Sequence, residues 1–136
     1  MPHLSKLTPN LIVADVSRSL AFYRDVLGFQ VGLTVPPDAE PYVFASVQSG
    51  TIEIFLNAPE AAYAEYPAFK TRPIGGTLTL FIEVVDVVSF HEALSGRVTV
   101  VMPLERKWYG MTEFAIVDPD GYVITFAERS TDPASA

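Results

Sequence analysis

Residues 108–128 read W-Y-G-M-T-E-F-A-I-V-D-P-D-G-Y-V-I-T-F-A-E, and this stretch predicts a strand, a tight turn and a second strand. The two apolar runs are separated by D-P-D-G, residues 118–121, which has the composition of a turn. Pro119 presets φ for a first turn position, and Gly121 tolerates the positive φ that closes a hairpin. The end of the chain is therefore expected to be a β-hairpin.

An earlier stretch repeats this hairpin. The segment F-A-S-V-Q-S-G-T-I-E-I (44–54) aligns with F-A-I-V-D-P-D-G-Y-V-I-T-F (114–126), whose turn region is two residues longer. A strand, a helix and a further strand are predicted before each hairpin, and Asp15-Val16 and Asp86-Val87 open the two helices. The predicted fold class is α+β. It consists of two βαβββ modules, at 5–57 and 77–129, joined by a linker at 58–76 within a single domain spanning 1–136.

Several element limits follow from local signals. The first strand is predicted over 4–13, with Pro9 marking an edge or a strand start because proline cannot donate to a ladder. In the second module, a strand is predicted over 97–102 and a loop over 103–109. The linker is predicted to hold a short helix at 61–66. Its large aromatic residues are expected to pack on a core or subunit contact rather than to form a ligand lid; they are Tyr63, Tyr66 and Phe69.

Composition limits the classes of function. The 136 residues are 49% hydrophobic, with a formal net charge of -7 and no cysteine. A packed globular protein is expected, without disulfides, thiolate metal ligands or a cysteine nucleophile. The negative charge argues against nucleic acid and anionic membrane surfaces as partners and is compatible with cationic ligands. No transmembrane run or signal peptide is recognised, so the cytoplasm is the expected location.

The arrangement also predicts where a site lies. One module leaves a sheet face uncovered, so two modules must combine to bury it. The face opposite the helices is then expected to curve, as part of a mixed sheet, around a cleft lined by both modules.

Two motifs carry a family resemblance. The segments L-I-V-A-D-V-S-R-S-L-A-F-Y-R-D-V-L-G-F near the start and E-F-A-I-V-D-P-D-G-Y-V-I-T-F-A-E near the end resemble the vicinal oxygen chelate superfamily. That superfamily holds glyoxalase I, extradiol dioxygenases, and fosfomycin- and bleomycin-resistance proteins. The resemblance covers residues 5–129 and implies the fold, but not one activity, since the fold hosts many functions.

The resemblance also implies four positions for metal ligands, which are histidine or glutamine and then glutamate in each module of the metal-dependent members. They fall on Thr8, Glu53, Thr79 and Thr125. Neutral threonine hydroxyls do not replace the imidazole or carboxylate ligands of a transition metal. The two histidines lie elsewhere, and His91 is expected to be a surface or packing residue. We therefore expect no metal and no cofactor.

What remains in the expected cleft is hydrogen-bonding groups, flat apolar surface and one carboxylate. The segment around Trp108 also resembles the W-G-x-x-E-F-x-x-x-D-P-x-G stretch of bleomycin-resistance proteins, although Tyr109 intervenes before Gly110. Aromatic rings beside a carboxylate suit a planar or cationic ligand. The candidate ligand-binding residues are Thr8, Asn10, Glu53, Phe55, Thr79, Phe81, Trp108, Tyr109 and Thr125. Trp108 is equally well explained as an anchor at a dimer contact.

The favoured function is sequestration of a small aromatic or cationic molecule, for instance an antibiotic, by a metal-free homodimer. The alternative is a glyoxalase-type lyase, isomerase or dioxygenase, in which Glu53 acts as a general base with a pKa raised by burial. A third reading gives the cleft to a dimer or partner surface. The sequence leaves open whether modules pair within one chain or across two, and it identifies no catalytic residue.

Overall fold

The computed structural model describes residues 2–130, which divide into two units, one ending at Ile74 and the other beginning at Gly75. Each unit contains a four-stranded mixed sheet and the element order β-α-β-β-β. The α+β class and the two βαβββ modules expected from the sequence are thus confirmed. The single-domain organisation and the exact module limits stay predictions.

The first unit adds two short helices after its βαβββ core. Its main elements are β1 (Asn10–Ile12), α1 (Val16–Ala21), β2 (Gln30–Val35), β3 (Phe44–Ser49), β4 (Ile52–Asn57) and α2 (Pro59–Glu65). A π-helical turn, Phe22–Val26, continues α1, and a 3₁₀ helix, Pro67–Thr71, follows α2. The strand order is β1-β4-β3-β2, with β1 parallel to β4 and the other pairs antiparallel.

The second unit repeats this topology. Its elements are β5 (Thr79–Glu83), α3 (Val87–Leu94), β6 (Thr99–Arg106), β7 (Met111–Val117) and β8 (Val123–Arg129). The strand order β5-β8-β7-β6 has one parallel pair, β5 with β8, and antiparallel pairs elsewhere. The predicted turn closes the last hairpin, with Gly121 at φ 91° and its amide donating to the carbonyl of Asp118 over 3.1 Å.

In each unit the helix covers one face of the sheet because the strands alternate. In the first unit Ile54 and Leu56 of β4 are buried on the side where α1 packs, together with Leu11 and Val13. Asp15 caps α1 as expected, since its carboxylate accepts from the amide of Arg18 at 3.1 Å.

In the second unit the helix face is aromatic. Phe90 of α3 meets Phe126 at 4.9 Å between ring centroids, and His91 meets Phe114 at 4.9 Å. His91 is therefore a packing residue, as the sequence suggested. Asp86 caps α3 as expected, although it does so from a left-handed conformation with φ 63°.

The first strand is much shorter than predicted. Only Asn10–Ile12 is strand, whereas Leu4 and Leu7 are 92% and 85% exposed. Pro9 marks the start, as proposed, because it has no N–H to donate; its carbonyl accepts from the amide of Phe55 at 2.9 Å. The alternation of apolar and polar residues before Pro9 therefore does not reflect hydrogen bonding to a neighbouring strand.

The second strand of the second module, β6, is longer than predicted. β6 runs from Thr99 to Arg106 and includes four residues that had been assigned to a loop. Pairing resumes beyond Pro103, where Glu105 faces Glu113 and Arg106 faces Thr112, after irregular register. A proline interior to a strand is tolerated here because β6 lies at the edge of its sheet.

The segment predicted as a linker is mostly helical. Helix α2 begins at Pro59, near the predicted position, and the 3₁₀ helix follows it within the first unit. Tyr66 and Phe69 pack on each other with ring centroids 5.8 Å apart. Across residues 2–130, none of the helices has the length and apolarity needed to cross a membrane.

Candidate functional site

The second unit has a sheet face opposite α3 that carries polar groups. Register places Glu113 beside Ala127, and Thr125 beside both Ala115 and Phe81, all on this face. Because side chains alternate along a strand, the aromatic core residues of β7 and β8 point the other way, towards α3. The face opposite α3 therefore carries Glu113 and Thr125, two polar residues of the central strands.

The main polar feature of this face is a buried carboxylate. Glu113 is only 3% exposed, and its Oε2 accepts a hydrogen bond from the hydroxyl of Tyr109 at 2.6 Å. This hydrogen bond, together with burial and the charges of Glu113 and Glu105, raises the pKa of Tyr109 to about 12. The phenol therefore stays protonated as a donor at neutral pH.

A tight turn between β6 and β7 presents the aromatic pair. The amide of Lys107 donates to the carbonyl of Met111 at 2.7 Å, and the amide of Gly110 donates to the carbonyl of Lys107 at 3.1 Å. Gly110 has φ 91°, a conformation that side-chain-bearing residues rarely adopt. The turn holds Trp108 edge-on to Tyr109, with ring centroids 5.3 Å apart, and leaves Trp108 90% exposed.

The charges around this turn are unevenly compensated. Lys107 pairs with Glu105 at 3.0 Å, so one carboxylate has a cationic partner. Glu113 is hydrogen-bonded to a neutral phenol instead. A cationic ligand that binds beside Tyr109 would therefore be attracted by the carboxylate of Glu113.

Two predicted residues on this face are joined by their hydroxyls. Thr79 Oγ1 donates to the carbonyl of Val123 at 3.1 Å and lies 3.2 Å from Thr125 Oγ1. Phe81 lies on the same face and is half-exposed. The structure thus brings Thr79, Phe81 and Thr125 together in the second unit.

In the first unit, Glu53 is engaged by its neighbours. Its Oε1 lies 2.6 Å from Lys6 Nζ, and its Oε2 accepts from Gln48 at 3.2 Å. The hydrogen bond from Lys6, followed by that from Gln48, lowers the pKa of Glu53. The raised pKa that the alternative function requires of Glu53 is therefore contradicted, because the lysine stabilises the ionised form.

The other predicted residues of the first unit lie along the same side. Phe55 follows Glu53 by two positions in β4 and packs on Phe44, with ring centroids 5.2 Å apart. Asn10 of β1 accepts a side-chain hydrogen bond from Asn57. Thr8 is half-buried and precedes the strand.

The family's four metal-ligand positions do not fit a transition-metal ion here. Glu53 is the only carboxylate among them and is already bound by Lys6, while the hydroxyls of Thr79 and Thr125 are used in neutral hydrogen bonds. Hydroxyls that remain protonated are poor ligands for zinc or iron. Within residues 2–130, no group of three or more His, Asp or Glu side chains is placed to hold a metal ion.

Sequence reasoning missed Glu113 as a site residue. The available signal was its charge within an otherwise apolar strand, four residues after Tyr109 and in phase with Thr125 across the hairpin. It also occupies the glutamate position of the W-G-x-x-E-F stretch. A carboxylate in a central strand requires a hydrogen-bonding partner when buried, which makes such a residue a candidate.

Comparison with known proteins identifies relatives of the whole chain. A family model described as Glyoxalase/Bleomycin resistance protein/Dioxygenase superfamily matches residues 2–126. A bleomycin resistance protein of Geobacillus stearothermophilus is 26% identical over 130 residues, covering 89% of this chain and 94% of that protein.

Solved structures share the fold. A glyoxalase/bleomycin resistance protein/dioxygenase family enzyme from Burkholderia phytofirmans PsJN superposes with a TM-score of 0.73 at 22% identity, covering 90% of this chain and 96% of that one. The bleomycin-binding protein of Streptomyces verticillus, solved with copper(II)-bleomycin, gives a TM-score of 0.64 at 24% identity, covering 97% of this chain and 100% of that one. At these identities the likeness concerns the fold alone.

Proposed function

The chain belongs to the Glyoxalase/Bleomycin resistance protein/Dioxygenase superfamily, and within it we propose that it binds a small aromatic or cationic molecule and sequesters it without chemical turnover. An antibiotic-like molecule is the proposed ligand class. The relatives named bleomycin resistance protein support that class.

The observation that carries this proposal is the buried carboxylate of Glu113 beneath the Trp108–Tyr109 pair. A buried carboxylate that is hydrogen-bonded to a neutral phenol attracts a cation, and the hydroxyl of Tyr109 orients the carboxylate through a 2.6 Å hydrogen bond. The exposed indole of Trp108 and the adjacent ring offer faces for stacking. A cation–π contact contributes about 1–2 kcal/mol when water is partly excluded.

Binding without turnover is supported by the groups that an enzyme of this family would use. Glu53 is held ionised by Lys6, which makes it a poor general base near neutral pH. The threonines at the other ligand positions supply hydrogen-bond donors and acceptors to a ligand. We therefore propose that Thr8, Asn10, Phe55, Thr79, Phe81 and Thr125 contribute contacts rather than catalysis.

We further propose a homodimer in the cytoplasm, with neither nucleic acid nor membrane as partner. The dimer is supported by apolar side chains exposed on two of the edge strands, β2 and β6. These side chains are Val31, Leu33, Val35, Val100 and Val101. Light scattering coupled to size-exclusion chromatography tests the dimer, and a monomer at micromolar concentration contradicts it.

Ligand binding is tested through Trp108, the protein's single tryptophan. We expect saturable changes in its fluorescence on titration with bleomycin or other planar cations. Glu113→Gln keeps an acceptor for Tyr109 but removes the charge, and should weaken binding about fivefold. Glu92→Gln, an exposed residue of α3 with the same change of charge, is the matched control. A panel of planar cations without any saturable response contradicts the proposal.

Metal analysis separates this proposal from the enzyme alternative. We expect protein purified without added metal to contain no stoichiometric transition metal, and dialysis against EDTA to leave ligand binding unchanged. A tightly bound divalent ion that is lost in Glu53→Ala would favour the lyase, isomerase or dioxygenase instead.

A further inference from the structure

The first unit contains a small pocket that shares only Asn10 with the residues proposed above to contact a ligand. It has a volume of about 70 Å³ and lies between β1, β4, α2 and the 3₁₀ helix. The residues that form it include Asn10, Asn57, Ala61, Glu65, Tyr66 and Phe69. Of these, Asn10 is a candidate ligand-binding residue from the sequence, and Tyr66 and Phe69 were expected to pack on a core or subunit contact.

Local sequence explains why the pocket stays open. Pro59 occupies the first turn of α2, and the amide of Tyr66 donates to the carbonyl of Ala62 at 2.7 Å where that helix ends. Ala62 of this helix is buried and also lines the pocket. Its neighbour Ala61 has too small a side chain to fill the space between helix and strands.

The 3₁₀ helix supplies the aromatic wall. Pro67 begins it, and the amide of Phe69 donates to the carbonyl of Tyr66 at 3.0 Å. This turn sets the two rings edge to face, with centroids 5.8 Å apart. Outside the pocket, the guanidinium carbon of Arg72 lies 5.5 Å from the Phe69 ring centroid. The ring of Phe69 therefore already makes a cation–π contact with a guanidinium group of the same chain.

The polar wall presents acceptors. Asn57 donates its side-chain amide to Asn10 Oδ1, which leaves Asn57 Oδ1 as an acceptor. The carboxylate of Glu65 accepts from the hydroxyl of Tyr66, and this interaction raises the pKa of Tyr66. The pocket therefore combines a carbonyl oxygen, a carboxylate and aromatic rings, and the lining residues carry no cationic group.

We infer that this pocket binds a small organic cation bearing N–H donors, a primary ammonium or a guanidinium group. The acceptors can receive hydrogen bonds from the N–H groups of such a cation, and the carboxylate of Glu65 can balance its charge. The rings of Tyr66 and Phe69 can pack on the cation where it is removed from water. A pocket volume of about 70 Å³ admits one such group and not a whole antibiotic, since on the same measure a single water molecule requires roughly 10–15 Å³. The inference uses residues of the first unit only, so it stands independently of the function proposed for Trp108 and Glu113.

The test uses the full chain and two probes of nearly equal shape. Methylguanidinium carries the charge, and N-methylurea is its neutral counterpart. Binding is followed by ¹H–¹⁵N spectra, with the side-chain amides of Asn10 and Asn57 as reporters inside the pocket. We expect saturable shifts with methylguanidinium and roughly tenfold weaker binding of N-methylurea, because the charged hydrogen bonds are lost.

Two variants and a control make the test specific. Glu65→Gln should weaken methylguanidinium binding roughly tenfold. Glu60→Gln, which changes the same charge in the first turn of the same helix, should leave it unchanged. Ala61→Leu should abolish binding by filling the pocket while conserving the charge, with an otherwise unaltered spectrum.

Three results would overturn the inference. They are the absence of saturable shifts at Asn10 and Asn57, equal binding of the two probes, and equal effects of Glu65→Gln and Glu60→Gln. None of these results depends on Trp108 fluorescence, so failure here is distinguishable from failure of the proposed function.

Discussion

Tyr109 donates its hydroxyl to the buried carboxylate of Glu113 across 2.6 Å, and the two residues lie on opposite sides of the point where β7 begins. The turn that carries the aromatic pair is thereby tied to the sheet. The same contact raises the pKa of Tyr109, and it gives the buried carboxylate of Glu113 a hydrogen-bond donor within the sheet.

The first prediction concerns alkaline pH. The folded chain holds the Tyr109 proton to a pKa of about 12, compared with 10.0 ordinarily. Its contribution to stability is therefore fully present below about pH 10 and is lost as the pH rises towards 12. Urea unfolding measured between pH 9 and 12 should show that the free energy of unfolding falls more steeply with pH for the native sequence than for Tyr109→Phe.

Tyr66 acts in the same direction, because Glu65 raises its pKa too. Tyr66→Phe therefore serves as a comparison, and the double variant should have the flattest profile. Identical profiles for the native protein and Tyr109→Phe would contradict the hydrogen bond.

The second prediction concerns removal of the carboxylate itself. Glu113→Ala leaves the Tyr109 hydroxyl without its acceptor and opens space in a buried position, which should lower the free energy of unfolding by about 1–3 kcal/mol. Glu113→Gln should cost less because an amide oxygen still accepts. Chemical denaturation measures both, and a loss for Glu113→Ala no larger than for the exposed Glu92→Ala would count against this reading.

The third prediction concerns acid. The pKa of Glu53 is lowered by Lys6 and Gln48 from its ordinary value of 4.5. The stability it contributes is thus present above pH 4.5 and is lost as the pH falls through the depressed value. In Lys6→Met, the free energy of unfolding measured by urea denaturation should depend less on pH below 4.5. In the control Lys70→Met, on the 3₁₀ helix, its pH dependence should equal that of the native protein.

The fourth prediction concerns the start of α3. Asp86 adopts φ 63° while its carboxylate accepts from the amide of Ser89 at 3.3 Å and from its hydroxyl at 2.9 Å. Asp86→Ala loses the cap but keeps the strained conformation, and should cost about 1–2 kcal/mol of unfolding free energy.

Asp86→Asn is the control, because asparagine both caps helices and tolerates the left-handed region. Asp86→Asn should lower the free energy of unfolding much less than Asp86→Ala. Thermal unfolding followed by circular dichroism measures the difference, and equal losses for the two variants would refute the capping role.

The repeated architecture was predictable because its determinants are local. Alternation in β4 separates Ile54 and Leu56 from Glu53, D-P-D-G specifies a turn, and an aspartate precedes both α1 and α3. These signals depend on backbone periodicity and turn chemistry, which act over a few residues. Element ends were less predictable, since β1 pairs with β4 only after Pro9 and β6 continues past a proline along an edge.

The sequence by itself determined the fold class and the repeated module. These follow from residue type and local order. Tertiary structure decided which side chains meet. It placed Lys6 on Glu53, Tyr109 on Glu113, and Asn57 on Asn10 beside the aromatic wall of α2 and the 3₁₀ helix. Strand register and burial set the partners and proton affinities of these groups, and neither is encoded by any one segment alone.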